Sequence, residues 1–265
     1  MNITITAKNN ERVKRVCKLM SNSSFRTAEN CYPVEGLRLC VDAVKSGKNF
    51  EDLYVTNQFA NDHFEECEEL KKASDNVFFV STDVMKKMAD TISPQGVIGV
   101  VSNNQSKVEL SKDGKYLALV NVQDPSNVGA AARTAEALGL DGIISCGGCD
   151  VFSPKSLRAS MGAFFRMNVK TYKTTNEMFD DFKSLNIESF ASTPRATARP
   201  ISSVQFNKGS AVLIGNEANG LDDDTINGCD CMITIPMSGR AESLNASAAA
   251  AIICFCMTTG GGAVD

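Results

Sequence analysis

Histidine is almost missing from this chain: the single one, His63, sits among acidic residues in FANDHFEEC. Without a second imidazole, Ser/His/Asp and Cys/His nucleophile schemes are disfavoured, as is a His-ligated centre, so no metal is expected. No G-x-G-x-x-G follows the first strand-like run of the second half, which lowers a dinucleotide reading. No apolar run reaches the roughly 18 residues of a membrane span. The longest candidate, LNASAAAAIICFCM at 244–257, is shorter and carries polar residues. No membrane association is expected. The start, MNITIT, lacks the basic end, apolar stretch and small-residue cleavage site of a secretory leader, so a cytoplasmic protein is expected. Internal repeats are absent, and the only biased segment is the tail TTGGGAVD, expected to be disordered.

What is present is the composition of a folded protein: 265 residues, 43% hydrophobic and 22% charged. That length fits two domains or one large one. Ten cysteines in such a chain fit free, mostly buried thiols better than a disulfide framework. Cys146 and Cys149 form a C-x-x-C, and Cys229 and Cys231 a C-x-C. A four-thiolate zinc site is conceivable only if the fold joins them, and CGGC also fits a turn after an apolar strand. The net charge of -4 argues against holding nucleic acid by bulk electrostatics. Distribution matters more: residues 1–48 hold nine Lys or Arg against four Asp or Glu, and residues 49–90 four against ten. Two solvated faces would give this pattern, and so would a local phosphate-binding patch.

Periodicity divides the chain. NERVKRVCKLM, EGLRLCVDAVKSG and FEECEELKKAS have one-sided helical patterns, whereas FEDLYVT, NVFFVS and GVIGVVS are β-rich runs. These form a small α/β domain over 1–104. A linker at 105–115 has no periodicity. From 116 to 265, buried strand-like runs (YLALVNVQ, GIISCG, FRMNVKTY, IESFAST, AVLIG, CMITIP) alternate with helices, the last from about Ser243. The expectation is an α/β domain with a parallel sheet and helices on both faces. Ligands then bind at the carboxyl ends of the strands.

Three strand ends share one composition: NVQDPSNVG, LIGNEANGL and ITIPMSGRAESLNAS. Each is a polar loop leading towards a helix whose first amides are unsatisfied. Asn127 can cap the first helix, while Gly129 and three alanines keep its surface low. Arg133 would lean back over the loop, as helical side chains do. In the second loop Gly215 and Gly220 flank Glu217. In the third, Ser243 and Asn245 enter a helix apolar nearly all round, which must be buried against the sheet or another subunit. Taken singly, each residue also fits a plain cap, a turn residue or a surface charge.

Together and in this order, the three loops resemble the motifs of the SpoU family of RNA ribose 2′-O-methyltransferases, members of the SPOUT superfamily. The match falls on Asn127, Gly129, Arg133 and Thr134; on Gly215, Glu217 and Gly220; and on Ile235, Pro236, Met237, Ser243, Leu244, Asn245 and Ser247. DVFSPKSLRASMGAFF, between the first two, also looks like the family. The resemblance covers 116 to about 258. In front of it, YPVEGLRLCVDAV and DTISPQGVIGVV look like the ribosomal-protein-like substrate-binding domain that often precedes this catalytic domain. Two positions depart from the pattern. Ala218 stands where glycine is frequent, which puts a positive-φ backbone there in question, and Ala246 stands where valine is usual.

The resemblance implies a deep trefoil knot in the C-terminal domain, a homodimer, and S-adenosyl-L-methionine held by the backbone around Thr193, Gly215, Ile235, Met237 and Leu244. It implies an enzyme that methylates a ribose 2′-hydroxyl in structured RNA, with the fused first domain favouring ribosomal over transfer RNA. The matching arginine is the family's proposed base, yet a guanidinium with a pKa above 12 is a poor one. Arg133 is therefore expected to orient the hydroxyl and its phosphate, with Asn127, Glu217, Ser243 and Asn245 fixing its position. Arg12, Lys14, Arg15, Lys18, Arg26, Arg38 and Arg158 are expected to meet RNA phosphates. A non-catalytic RNA-binding or ribosome-assembly protein and a nucleotide-dependent enzyme on a Rossmann sheet are the other classes open to this sequence.

Overall fold

The computed structural model describes residues 4–103 and 108–259. Part of the expected linker, 104–107, and the tail 260–265 lie outside the described residues. The chain divides into two compact units, Met1–Asn104 with Phe152–Phe165, and Gln105–Val151 with Arg166–Asp265. Phe152–Phe165 thus packs with the first unit, although it falls inside the range read from sequence as the second domain.

The first unit contains β1 (Thr4–Ile5), α1 (Glu11–Ser21), α2 (Ser23–Glu29), β2 (Cys31–Glu35), α3 (Leu37–Lys45), β3 (Phe50–Val55), α4 (Asn57–Asp62), α5 (Phe64–Lys72), β4 (Ser74–Val80), α6 (Thr82–Met88) and β5 (Val97–Ser102). Its five strands lie in the order β1-β4-β3-β5-β2, with β5 antiparallel to both neighbours. The one-sided pattern of α1 buries Val13, Val16 and Leu19 against Val84, Met85 and Met88 of α6 and Ile98 and Val100 of β5. β2 contains Pro33, which has no amide to donate; as an edge strand it can tolerate this.

The second unit begins with β6 (Lys115–Val120), α7 (Pro125–Ala137) and β7 (Gly142–Cys146). α8 (Pro154–Ser160) and α9 (Ala163–Arg166) follow in the chain, and then β8 (Asn168–Tyr172), α10 (Thr175–Leu185), β9 (Glu188–Ser192), β10 (Arg199–Pro200), β11 (Ser210–Ile214), α11 (Asp223–Gly228), β12 (Cys231–Thr234) and α12 (Ala246–Thr259). Among the described residues the strands form one sheet in the order β10-β12-β9-β11-β6-β7-β8, every pair parallel. Alternation along β6 serves both faces: Tyr116, Ala118 and Val120 join Met178 and Phe182 of α10. Leu117 and Leu119 are equally buried on the opposite face, and α12 packs both on this sheet and on α7.

This topology removes the four-thiolate zinc site. Cys146 ends β7 and Cys231 begins β12, four strand spacings away, about 19 Å at the usual inter-strand distance. Burial pushes the Cys146 thiol up to about 11 and the Cys229 thiol to about 12, so both stay protonated at neutral pH.

Candidate functional site

Asp-Pro at 124–125 sets the start of α7. The Asp124 carboxylate accepts a hydrogen bond from the Ser126 amide at 2.9 Å, and Pro125 occupies the first turn, where no donor is needed. Asn127 is therefore not the cap expected from sequence. It lies inside the helix, 9% exposed, with its side chain free for other partners.

Those partners join the three loops. Glu217 Oε1 accepts hydrogen bonds from the Asp124 amide and from Asn127 Nδ2, each at 3.0 Å, and Oε2 accepts one from the Gln123 amide at 3.0 Å. Asn127 Oδ1 accepts from Asn245 Nδ2 at 3.0 Å. Asn245 Oδ1 in turn accepts from the amide and hydroxyl of Ser247, at 2.9 and 2.6 Å, which caps α12. The last helix therefore starts at Ala246, later than the expected Ser243. One relay of side chains, Glu217 to Asn127 to Asn245, ties sequence positions 90 and 118 residues apart. Burial alone would raise the Glu217 carboxyl, but hydrogen bonds from Asn127 and the Gln123 and Asp124 amides outweigh it and hold the group below its ordinary value.

Residues that the sequence reading passed over complete this stitching. Asn216 Nδ2 donates to the Asn121 carbonyl at 3.0 Å, and its Oδ1 accepts from the amides of Ala218 and Asn219 at 3.0 and 3.1 Å. An Asn opening a Gly-bounded loop is the sequence signal for such an Asx turn. Gly215 is required here by space: a Cβ would stand 2.2 Å from the Gly220 carbonyl carbon. Ala218 does not adopt positive φ, so the missing glycine costs no strain. The CGGC segment is a turn: Gly147 and Gly148 have φ of 65° and 73°, and the Cys149 amide donates to the Val122 carbonyl at 2.9 Å. It supports the first loop from the side.

At the carboxyl ends of β9, β11 and β12 the loops that follow these three strands line a cavity of about 700 Å³, within the usual size of small-molecule sites. All five residues expected to hold a cofactor, Thr193, Gly215, Ile235, Met237 and Leu244, line it, together with Glu217 and Ser243. Arg133, Asn127 and Asn245 are not in the lining. Arg133 is exposed on α7, and its side chain forms no hydrogen bond or ion pair among the described residues; the same holds for Ser243. The structure thus brings Asn127, Glu217 and Asn245 into one network and places Ser243 at the cavity wall. Arg195, Asp222, Asp223 and Glu242 also line the cavity and were not singled out from sequence.

The seven basic residues expected to meet RNA separate into two groups. Arg15 is committed to Glu29, Glu51 and Asp52 at 3.0, 3.2 and 3.3 Å. Arg26 is buried and donates to the Leu19 carbonyl at 2.6 Å, closing the end of α1. Arg158 is bound to Asp90 at 2.5 Å and lies 3.9 Å from Glu35, within the first unit. These three have partners within their own fold, so each would have to give up or share them to meet a phosphate. Arg12, Lys14, Lys18 and Arg38 are exposed.

Comparison with known proteins identifies the family. The profile described as the SpoU rRNA Methylase family matches residues 114–255, and that of an MRM3-like substrate binding domain matches residues 10–99. The 23S rRNA (guanosine(2553)-2'-O)-methyltransferase RlmP of Bacillus subtilis is 28% identical over 257 residues, covering 95% of this chain and 97% of the relative. A 23S rRNA (uridine(2479)-2'-O)-methyltransferase of Streptomyces viridochromogenes is 27% identical, covering 93% and 88%. The solved SpoU methyltransferase AviRb from Streptomyces viridochromogenes, in complex with AdoMet, superposes with a TM-score of 0.86 at 26% identity, over 95% of this chain and 98% of that one. With its three loops joined as described and the family profile spanning more than half of its length, the chain belongs to the SpoU rRNA methylase family.

Proposed function

We propose that this protein transfers a methyl group from S-adenosylmethionine to a ribose 2′-hydroxyl of ribosomal RNA. The observation that carries the reading is the Glu217–Asn127–Asn245 relay beside a cavity lined by every residue expected to hold the cofactor. The names of the relatives support the ribosomal substrate. Those two relatives act on a guanosine and a uridine, so the fold serves ribose chemistry with either base.

The cavity fits this cofactor on its own features. Gly215 leaves room where a side chain would block the loop, and the lining carries Glu217, Asp222, Asp223 and Glu242 against one arginine, suiting a ligand with positive charge. When bound, the cofactor supplies an electrophilic methyl group on a sulfonium. The protein must place an oxygen in line with it and help that oxygen lose its proton. Arg133, with no side-chain partner among the described residues, can grip the ribose and its phosphate bidentately. The relay holds α7, which carries Arg133, against the loop of Glu217 and the start of α12. Ser243, at the wall, can direct a hydroxyl towards the incoming sugar.

Two further parts of the proposal concern architecture. Ile252 and Phe255 of α12 are 38% and 46% exposed, large apolar side chains that support a homodimer through this helix. The trefoil knot implied by the family resemblance is supported by likeness of fold to AviRb.

Radiolabelled methyl transfer to ribosomal RNA, followed by mapping of ribose methylation in cells with and without the protein, tests the reading. Wild-type protein should label one site, and Arg133→Lys should lower turnover at saturating RNA by at least tenfold. No transfer to any RNA, with the cofactor bound, would leave a non-catalytic binding protein instead.

A further inference from the structure

Of the carboxylates around the cavity, three are committed to the protein. Glu217 has both oxygens occupied by three donors. Asp222 caps α11, accepting from the Thr225 amide at 2.7 Å, and Asp223 is paired with Arg195. Glu242 is different. It lines the same cavity, next to Ser243, and its carboxylate has no hydrogen bond or ion pair among the described residues.

We propose that Glu242 is a specificity-determining residue that recognises the sulfonium charge of the methyl donor and so distinguishes S-adenosylmethionine from its demethylated product. The inference rests on the cofactor reading above. Its physical basis is simple. Donor and product share the adenosine, the amino group and the carboxylate, and differ by a methyl group and one positive charge on sulfur. Contacts to the shared parts bind both equally, so preference for the donor must come from groups that meet the methyl or sense the charge, and only the latter act beyond contact distance. A carboxylate in the cavity wall with uncommitted oxygens can turn towards that charge, whereas one tied to donors of its own fold is held in place. Transfer of the methyl group neutralises the sulfur. The attraction to Glu242 then disappears at the moment when release is needed.

Calorimetry with the two ligands separately tests this. Wild-type protein should bind the donor more tightly than the product. Glu242→Gln should weaken donor binding about fivefold, a modest figure because the residue is exposed and its field screened, while changing product binding less than twofold. Glu242→Asp should retain most of the preference, and rising salt should erode it in wild type only. Equal weakening of both ligands in Glu242→Gln would place the carboxylate at the shared amino group and overturn the proposal, as would no change in either. If wild-type protein binds neither ligand, the cofactor reading itself fails, a separate result.

Discussion

Glu217 and Asn127 show how little of a site can be assigned one residue at a time. Both fitted a cap or turn in the sequence, and Asn127 is not a cap at all; its function is visible only when positions 217 and 245 come within 3.0 Å of it. The conversion Glu217→Gln should be costly because its NH2 would face either the Gln123 amide or the pair of donors from Asp124 and Asn127, leaving that side without an acceptor. We expect a loss of about 1 kcal/mol, limited by solvent screening, and a larger loss of activity. The pH dependence has a definite sign. Because the folded carboxyl lies below its ordinary 4.5, its contribution is fully present above that value and fades as pH falls through the lowered one. Thermal melts across this acid range should show a slope in wild type that Glu217→Gln lacks; parallel curves would mean that the carboxylate is not coupled to folding. Asn127→Ala, which leaves both partners without their bond, should destabilise by about 1–3 kcal/mol.

At the level of elements, the sequence was legible where one face is buried and obscure where a local rule is broken by position. The helices α1, α3 and α5 and the inner strands β6, β7 and β11 were readable from apolar spacing alone. β2 was not read, since Pro33 speaks against a strand unless the strand lies at an edge, and its place in the sheet follows from long-range pairing. α12 was read as apolar all round, correctly demanding burial, but only the fold divides that surface. Ala250, Ile253, Cys254 and Met257 face the protein, while Ile252 and Phe255 remain outward. Replacing both outward residues by glutamate should leave the melting temperature of the folded subunit within a few degrees and shift sedimentation from dimer to monomer. A wild-type monomer at micromolar concentration would refute the proposed homodimer.

For the molecule as a whole, charge is the quantity that the sequence described only in outline. The excess of basic residues in 1–48 suggested a phosphate-binding patch, but charge counts do not show which cations are already paired. Arg15 and Arg26 turned out to be structural. Lys14 is paired with Glu11 at 2.7 Å, so Arg12, Lys18 and Arg38, which form no ion pair among the described residues, should carry the salt dependence instead. Removing Arg12, Lys18 and Arg38 together should reduce the slope of log affinity for ribosomal RNA against log salt by about two to three, with base preference unchanged. An unaltered slope would move the RNA surface elsewhere. The same substitutions should have little effect on donor binding, whose residues belong to the second unit.

The path of the backbone has a practical consequence. The chain passes from one unit to the other after residues 104, 151 and 165, and the excursion brings Arg158 to Asp90 and the ring of Phe152 to within 4.6 Å of Tyr32. A protease site engineered between 103 and 108, once cut, should therefore not yield two independent proteins. The front fragment would lack a helix that its sheet requires, and the rear fragment would still carry it. The two should co-elute in native buffer and separate only in denaturant, behaving as complementary halves rather than as a severed tether.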